Sequence, residues 1–375
     1  MGAATLYQLA KAGVKAVGID RFAPPHDQGS SHGDTRITRL AVGEGAAYVP
    51  LVRRSHQIWR ELEAQSGAAL FEQCGVLVMS SSATTASLHG AADFVAQTIE
   101  LARTYGIAHE ILTSSQIRVR FPQFGPIRDG AVGYFEPEGG FVRPEHCIAA
   151  QLAAAQALGA TLITGMTVSA LESAGGVVRI KAGNRTLIAD KVIVCAGMWS
   201  ANLLGEPFST LLKVCRQKLF WFKLAEPVIF PEMSPSFILV HGPREADSCY
   251  GFPPVPGEGS MKIATEHYVP LQSIDALDRT VSAAEVHEMY RTQVAGNIAG
   301  VTQELVKARV CTYTVTPDHG FIIDDHPTLS NVTVVSACSG HGFKHSAAIG
   351  EAVAQRCLNG TSQIDLSAFS LNRFA

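Results

Sequence analysis

Cysteine pairs at metal spacing, long apolar runs and an excess of charge of one sign are all missing from this sequence. The eight cysteines (Cys74, Cys147, Cys195, Cys215, Cys249, Cys311, Cys338, Cys357) are scattered without a CxxC. That excludes a zinc ribbon or a disulfide framework and leaves most of them expected as buried thiols. The 13 histidines include no HExxH or other close metal spacing, so no metal is expected. No apolar stretch approaches the ~20 residues of a membrane span. The opening residues lack the basic, apolar and cleavage regions of a signal peptide, so a cytoplasmic home is the expectation. Leu6 stands where a myristoylation signal carries Ser or Thr. With 30 basic against 33 acidic residues the net charge is -3, which gives no field to attract nucleic acid or an anionic membrane. The partner expected is a small molecule.

What is there is a chain of 375 residues, 47% hydrophobic and 17% charged, long enough to bury a large core. Its 34 glycines and 18 prolines follow no repeat, which excludes low-complexity and collagen-like classes. Ala3, Leu6, Leu9 and Ala10 fall at helical spacing, Gly13 stops that helix, and residues 14–19 read as a strand. Asp20 sits at the strand's end, where a dinucleotide-binding βαβ unit keeps the acid that bonds the adenosine ribose. The glycine fingerprint and the strand before it are not found, so Met1-Gly2-Ala3 reads as the tail of that turn. The unit is expected to lack its first strand in this chain, and upstream codons are expected to restore flavin binding.

Residues 24–34 form a polar loop and 48–62 a helix. Strands at 75–79 and 131–135 bracket a helix at 92–105, which suggests an insertion. A helix at 145–158, a strand at 161–163, a hairpin over 177–188 and a strand at 191–196 return to the nucleotide-binding pattern. Strands at 217–223, 236–240 and 260–264 make a second, β-rich layer. A strand at 332–337, the turn Ser339-Gly340-His341-Gly342-Phe343-Lys344 and a helix at 346–358 close the chain. The fold class expected is mixed α/β: a Rossmann-like domain interleaved with a β-rich substrate domain. The first takes 1–70, 145–205 and 305–375, and the second 71–144 and 206–304.

Three segments carry chemistry. The 339–344 turn is a ligand cradle, because its glycines admit close backbone approach and helix-start amides favour negative charge; it reads equally as an ordinary tight turn. The run Ser31-His32-Gly33-Asp34-Thr35-Arg36-Ile37-Thr38-Arg39 holds two guanidinium forks suited to an anion; alone, it reads as well as surface charge paired with Asp34 and Glu44. It also contains a literal GxSxG around Ser31, but no strand leads into it, and a hydrolase elbow is not expected. Cys311, in Arg309-Val310-Cys311-Thr312-Tyr313-Thr314, reads on its own as a structural thiol.

Together these segments, with Pro24-Pro25-His26, Gly43-Glu44-Gly45, Tyr48-Val49-Pro50 and Tyr250-Gly251-Phe252-Pro253, resemble monomeric sarcosine oxidase and N-methyltryptophan oxidase along nearly the whole chain. The resemblance implies an FAD-dependent oxidase of N-methylated or other secondary α-amino acids, monomeric, that reduces O2 to H2O2. It implies a covalent FAD, with Cys311 joined to the 8α-methyl carbon and Asp20 on the adenosine ribose. Thr35, Arg36 and His32 would lie against the flavin, and Gly340, Gly342, Phe343 and Lys344 at its pyrimidine edge. Arg39 and Lys344 would clamp the substrate carboxylate, Tyr250 and Tyr313 would shape the pocket, and Lys262 would activate oxygen. Related readings are an oxidase or dehydrogenase of pipecolate or fructosyl amino acids, or an inactive truncated flavoprotein. Two positions depart from the family: Glu266 replaces the histidine usual four residues after the oxygen-activating lysine, with His267 next to it, and His345 replaces a common Phe and is expected to face solvent.

Overall fold

The β-branched run that ends at Ile19 finds a ladder partner only over Val17–Ile19, which pairs in parallel with Thr161–Ile163. The strand is therefore shorter than the pattern over 14–19 suggests: Ala16 O accepts from Thr161 N at 3.0 Å just before the ladder, and Val14 N bonds back to Leu9 O at 3.0 Å. The computed structural model describes residues 1–375 except 81–92, 227–228, 231–233, 245 and 255–256. A second parallel pair, Val192–Val194 with Val332–Ser336, is extended antiparallel by Ile322–Asp325. Helices Gly2–Lys11, Pro144–Ala157 and Ser346–Asn359 pack together beside these strands and share one apolar core with helix Val49–Ser66. The expected hairpin near 177–188 is there, widened by Val168–Ala174 into a three-stranded antiparallel sheet.

The β-rich layer is an eight-stranded sheet. Its order is Val301–Val315, Lys213–Leu224, Ser260–Ala264, Ser248–Gly251, Ser236–Val240, Val76–Ser80, Val132–Glu136 and Glu110–Thr113, antiparallel except where Ser236–Val240 meets Val76–Ser80. Alternation of side chains across the pleat divides its two faces. Phe220, Phe222, Met261 and Ile263 enter a core with Leu77, Phe237 and Leu239. Leu219, Trp221, Ala264 and Cys311 meet on the opposite face. The register Trp221↔Lys262 puts Lys262 on that second face too. The expected helix at 92–105 is seen as Phe94–Thr104, with Ala92 outside the described residues. Among the described residues no helix is long and apolar enough to cross a membrane, and no cluster of metal-ligating side chains is found. All eight cysteines are free, and half of them (Cys147, Cys215, Cys249, Cys311) are buried rather than most, because the others sit at strand and helix ends.

Candidate active site

The loop over 29–35 is held against the second face of the eight-stranded sheet. Gly33 has φ +91°, and a Cβ there would come within 2.5 Å of Leu219 Cδ1, so glycine alone fits the approach. Glu145, in the first turn of helix Pro144–Ala157, accepts from the amides of Gly33 at 2.6 Å and Asp34 at 3.2 Å. Asp34 pairs with Lys307 at 2.6 Å. Arg36 closes the loop on itself, donating to Thr35 O at 2.8 Å and Ser30 O at 2.9 Å, and lies 3.6 Å from Cys311 Sγ. Ser31 sits in irregular backbone with no strand before it and no helix after it until Ala46, so the GxSxG run forms no nucleophile elbow.

Cys311 is fully enclosed on strand Val301–Val315. Burial raises its thiol pKa above the usual value, and the Arg36 guanidinium acts against that rise. Lys262, 4% exposed, donates to the carbonyls of Gly33 and Thr35 and to Thr35 Oγ1, and its ammonium lies 4.7 Å from the Phe252 ring centroid. Burial first, then Arg36, push its pKa well below the ordinary lysine value. His32 is buried with Nε2 unpartnered, and burial and Arg36 lower its pKa to about 4, so it is neutral near pH 7.

Arg39 is 2% exposed, pairs with Glu44 at 3.2 Å and donates to Ala41 O at 3.0 Å. Lys344 pairs with the other oxygen of the same carboxylate at 2.8 Å. Arg39 and Glu44 do pair, as the surface reading of that run supposes, yet the pair is buried, and Asp34 goes to Lys307 instead. Burial lowers Lys344 to about 8, partly offset by Glu44. Tyr250 is raised to about 12 and Tyr313 well above the ordinary phenol value, both by burial, so both keep their protons as donors.

A cavity of about 1410 Å³ joins these groups. Its lining includes Asp20, Arg36, Arg39, Glu44, Tyr250, Glu266, Tyr313, Gly340, Gly342, Phe343 and Lys344. Strands Val17–Ile19 and Val192–Val194 also line it. Gly342 permits its turn to close, since a Cβ there would stand 1.9 Å from Ala337 O. Cys311, His32, Thr35 and Lys262 are not part of the lining; Cys311 contacts lining residues Arg36 and Ser30, Thr35 contacts Arg36, and Lys262 is joined to Thr35. That volume includes the gap beside the two parallel strands as well as the space at the glycine turn. A glycine turn, an acid after a parallel strand and clustered cations suit FAD. His345 does not face solvent: it is fully buried, with ring centroids 5.3 Å from Tyr48 and 5.7 Å from Phe321, because the 3-10 turn Phe343–His345 directs it onto that aromatic cluster. Sequence reasoning missed Glu145 as the clasp of the loop and Glu44 as a buried counter-ion; the Glu at helix position N2 is the only local sign of the first.

A parallel βαβ lobe that shares one cavity with an antiparallel sheet defines the architecture of flavin-dependent oxidoreductases. The chain belongs to the FAD dependent oxidoreductase family, whose model matches residues 1–356. It is 37% identical over 378 residues to monomeric sarcosine oxidase of Bacillus sp. (strain NS-129), covering 100% of this chain and 95% of that one. It is 34% identical over 383 residues to N-methyl-L-tryptophan oxidase of Yersinia pestis (strain Pestoides F), covering 100% and 96%. Among solved structures, NikD, an unusual amino acid oxidase essential for nikkomycin biosynthesis, superposes with TM-score 0.83 at 21% identity, covering 98% of this chain and 94% of NikD. That last likeness speaks to the fold.

A carboxylate ligand seated against protonated Lys344 is expected to keep its affinity up to about pH 8 and then lose toward tenfold per unit. Titration with a non-oxidisable carboxylate from about pH 6.5 to about pH 9.5 checks this, and Lys344→Met should flatten the descent.

Proposed function

We propose that this enzyme oxidises the N-methyl or other secondary amine of an α-amino acid, reduces O2 to H2O2 and releases an imine that hydrolyses to aldehyde and amine. The observation that carries the reading is Glu44, whose two oxygens are taken by Arg39 and Lys344 inside the cavity. A site that grips one carboxylate with two buried cations is built for another. FAD, when bound, supplies the hydride acceptor and the route to O2. In this reading residues 1–70, 145–205 and 305–375 form its lobe and 71–144 and 206–304 the substrate lobe, with strand Val301–Val315 of the eight-stranded sheet crossing that boundary. Among the described residues one edge of each of strands Val17–Ile19 and Val192–Val194 has no strand partner, which supports the reading that the parallel sheet takes a further strand there.

In this reading Asp20 bonds the adenosine ribose, and Gly340, Gly342 and Phe343 bring backbone close to the flavin's pyrimidine edge. Thr35, Arg36 and neutral His32 lie against its ring, and Cys311 carries a thioether to it. Arg39 and Lys344 hold the substrate carboxylate, which fixes the amine in one place and removes most of its positional freedom. Tyr250 and Tyr313 wall the pocket with protonated hydroxyls. Lys262 holds a positive charge where negative charge develops on O2.

A peroxide assay over sarcosine, N-methyltryptophan, pipecolate and fructosyl amino acids tests the activity; no peroxide from any secondary amine overturns it. For the linkage, acid precipitation of the purified protein should leave its yellow colour in the pellet. Cys311→Ser should release the colour to the supernatant, and an unmodified Cys311 peptide by mass spectrometry would count against the thioether.

A further inference from the structure

We infer that Glu266 reads the positive charge of the substrate, so that the amino acid binds as its zwitterion, ammonium toward Glu266 and carboxylate toward Arg39 and Lys344. This rests on the function proposed above and adds the charge state that the pocket selects. Glu266 follows strand Ser260–Ala264 and lines the same cavity as Arg39, Glu44 and Lys344. Its carboxylate is held by two phenols: Tyr268 donates to Oε2 at 2.8 Å, and the Tyr313 hydroxyl lies 3.5 Å from Oε1. Oε1 would also stand 3.4 Å from a Cβ built on Gly340, which puts the carboxylate against the 339–344 turn. Neutral hydroxyls orient a carboxylate without cancelling its charge.

The lining carries Arg36, Arg39 and Lys344 with Glu44 and Glu266. A zwitterion adds no net charge to this low-dielectric site, and Glu266 offers its ammonium an anionic partner there. At this position the family's usual histidine can be neutral, and a carboxylate cannot supply that neutrality without taking up a proton.

The test compares two ligands of one shape that differ by one charge, glycine betaine and 3,3-dimethylbutanoate, titrated calorimetrically into the flavin-loaded enzyme. Wild type should prefer betaine by at least roughly tenfold, the scale of one charge-assisted contact. Glu266→Gln, which keeps an acceptor for the tyrosines, should bring the ratio near one by weakening betaine alone. Glu266→His provides the same reading if the glutamine variant folds poorly. An unchanged ratio in either variant, or no preference in wild type, overturns the role of Glu266 and leaves the carboxylate clamp standing. If neither ligand binds wild type, the clamp falls and this inference with it.

Discussion

Lys262→Met is expected to slow the reaction of the reduced enzyme with O2 by about 10²–10³-fold, while amine oxidation by the same variant stays within several-fold of wild type. The magnitude follows from the setting. Lys262 is 4% exposed, fixed by Gly33, Thr35 and the Phe252 ring, so its charge needs no reorganisation when electrons arrive at oxygen. Water would screen the same charge on the surface. Reduction by substrate under anaerobic conditions, followed by rapid mixing with O2, separates the two half-reactions. Because burial and Arg36 lower the Lys262 pKa, the oxygen step should also decline with rising pH earlier than an ordinary lysine would dictate. Lys262 also ties the 33–35 loop to the sheet, and that suggests the competing account. If its work is structural, both half-reactions and flavin content fall together, and the proposed role is lost.

Some of this arrangement was legible before any coordinates. The strands Ser236–Val240 and Ser260–Ala264 stand where the apolar runs put them, because both faces of those strands are covered and each run is bounded by turns. Arg36, Arg39 and Lys344 stand out by residue type in their local runs and line one cavity, whereas Cys311, which on its own reads as a structural thiol, drew notice only through the resemblance and lies behind Arg36. The Arg39–Glu44 pair was legible as a local charge match, but the long-range partners were not. Glu44 touches Lys344 across 300 residues and Glu145 reaches Gly33 across 112, and nothing in either segment records the distant element that meets it. His345 was misread for a related reason. A polar residue after Lys344 has no local sign of burial, and only the turn into helix Ser346–Asn359 shows which way it points. Sequence also overrated residues 14–19, since a β-branched run becomes a strand only as far as a neighbour bonds to it.

The buried histidines carry the second large prediction, a steep loss of stability in mild acid. Burial lowers His32 and His341 to about 4 and His56 to about 3, and burial with Lys344 and His341 lowers His345 well below the ordinary imidazole value. A folded pKa below the unfolded value of about 6.5 means that between these limits the unfolded chain binds the extra proton. Stability is therefore whole above about pH 6.5 and drains away as pH falls toward 4. At pH 5 each such histidine costs about 2 kcal/mol, so His32 and His341 together cost about 4, a large share of the roughly 5–15 kcal/mol that holds a domain folded. Carboxylates with lowered pKa values, Asp318 and Glu285 at about 2, still hold their charge at pH 5 and do not explain a loss there. Urea unfolding at about pH 7.5 and about pH 5 should show the difference, and His341→Asn should reduce it by about 2 kcal/mol. A midpoint that stays level across that interval would mean that these imidazoles take up protons in the folded state, and that the His32 pocket beside Arg36 admits a second positive charge.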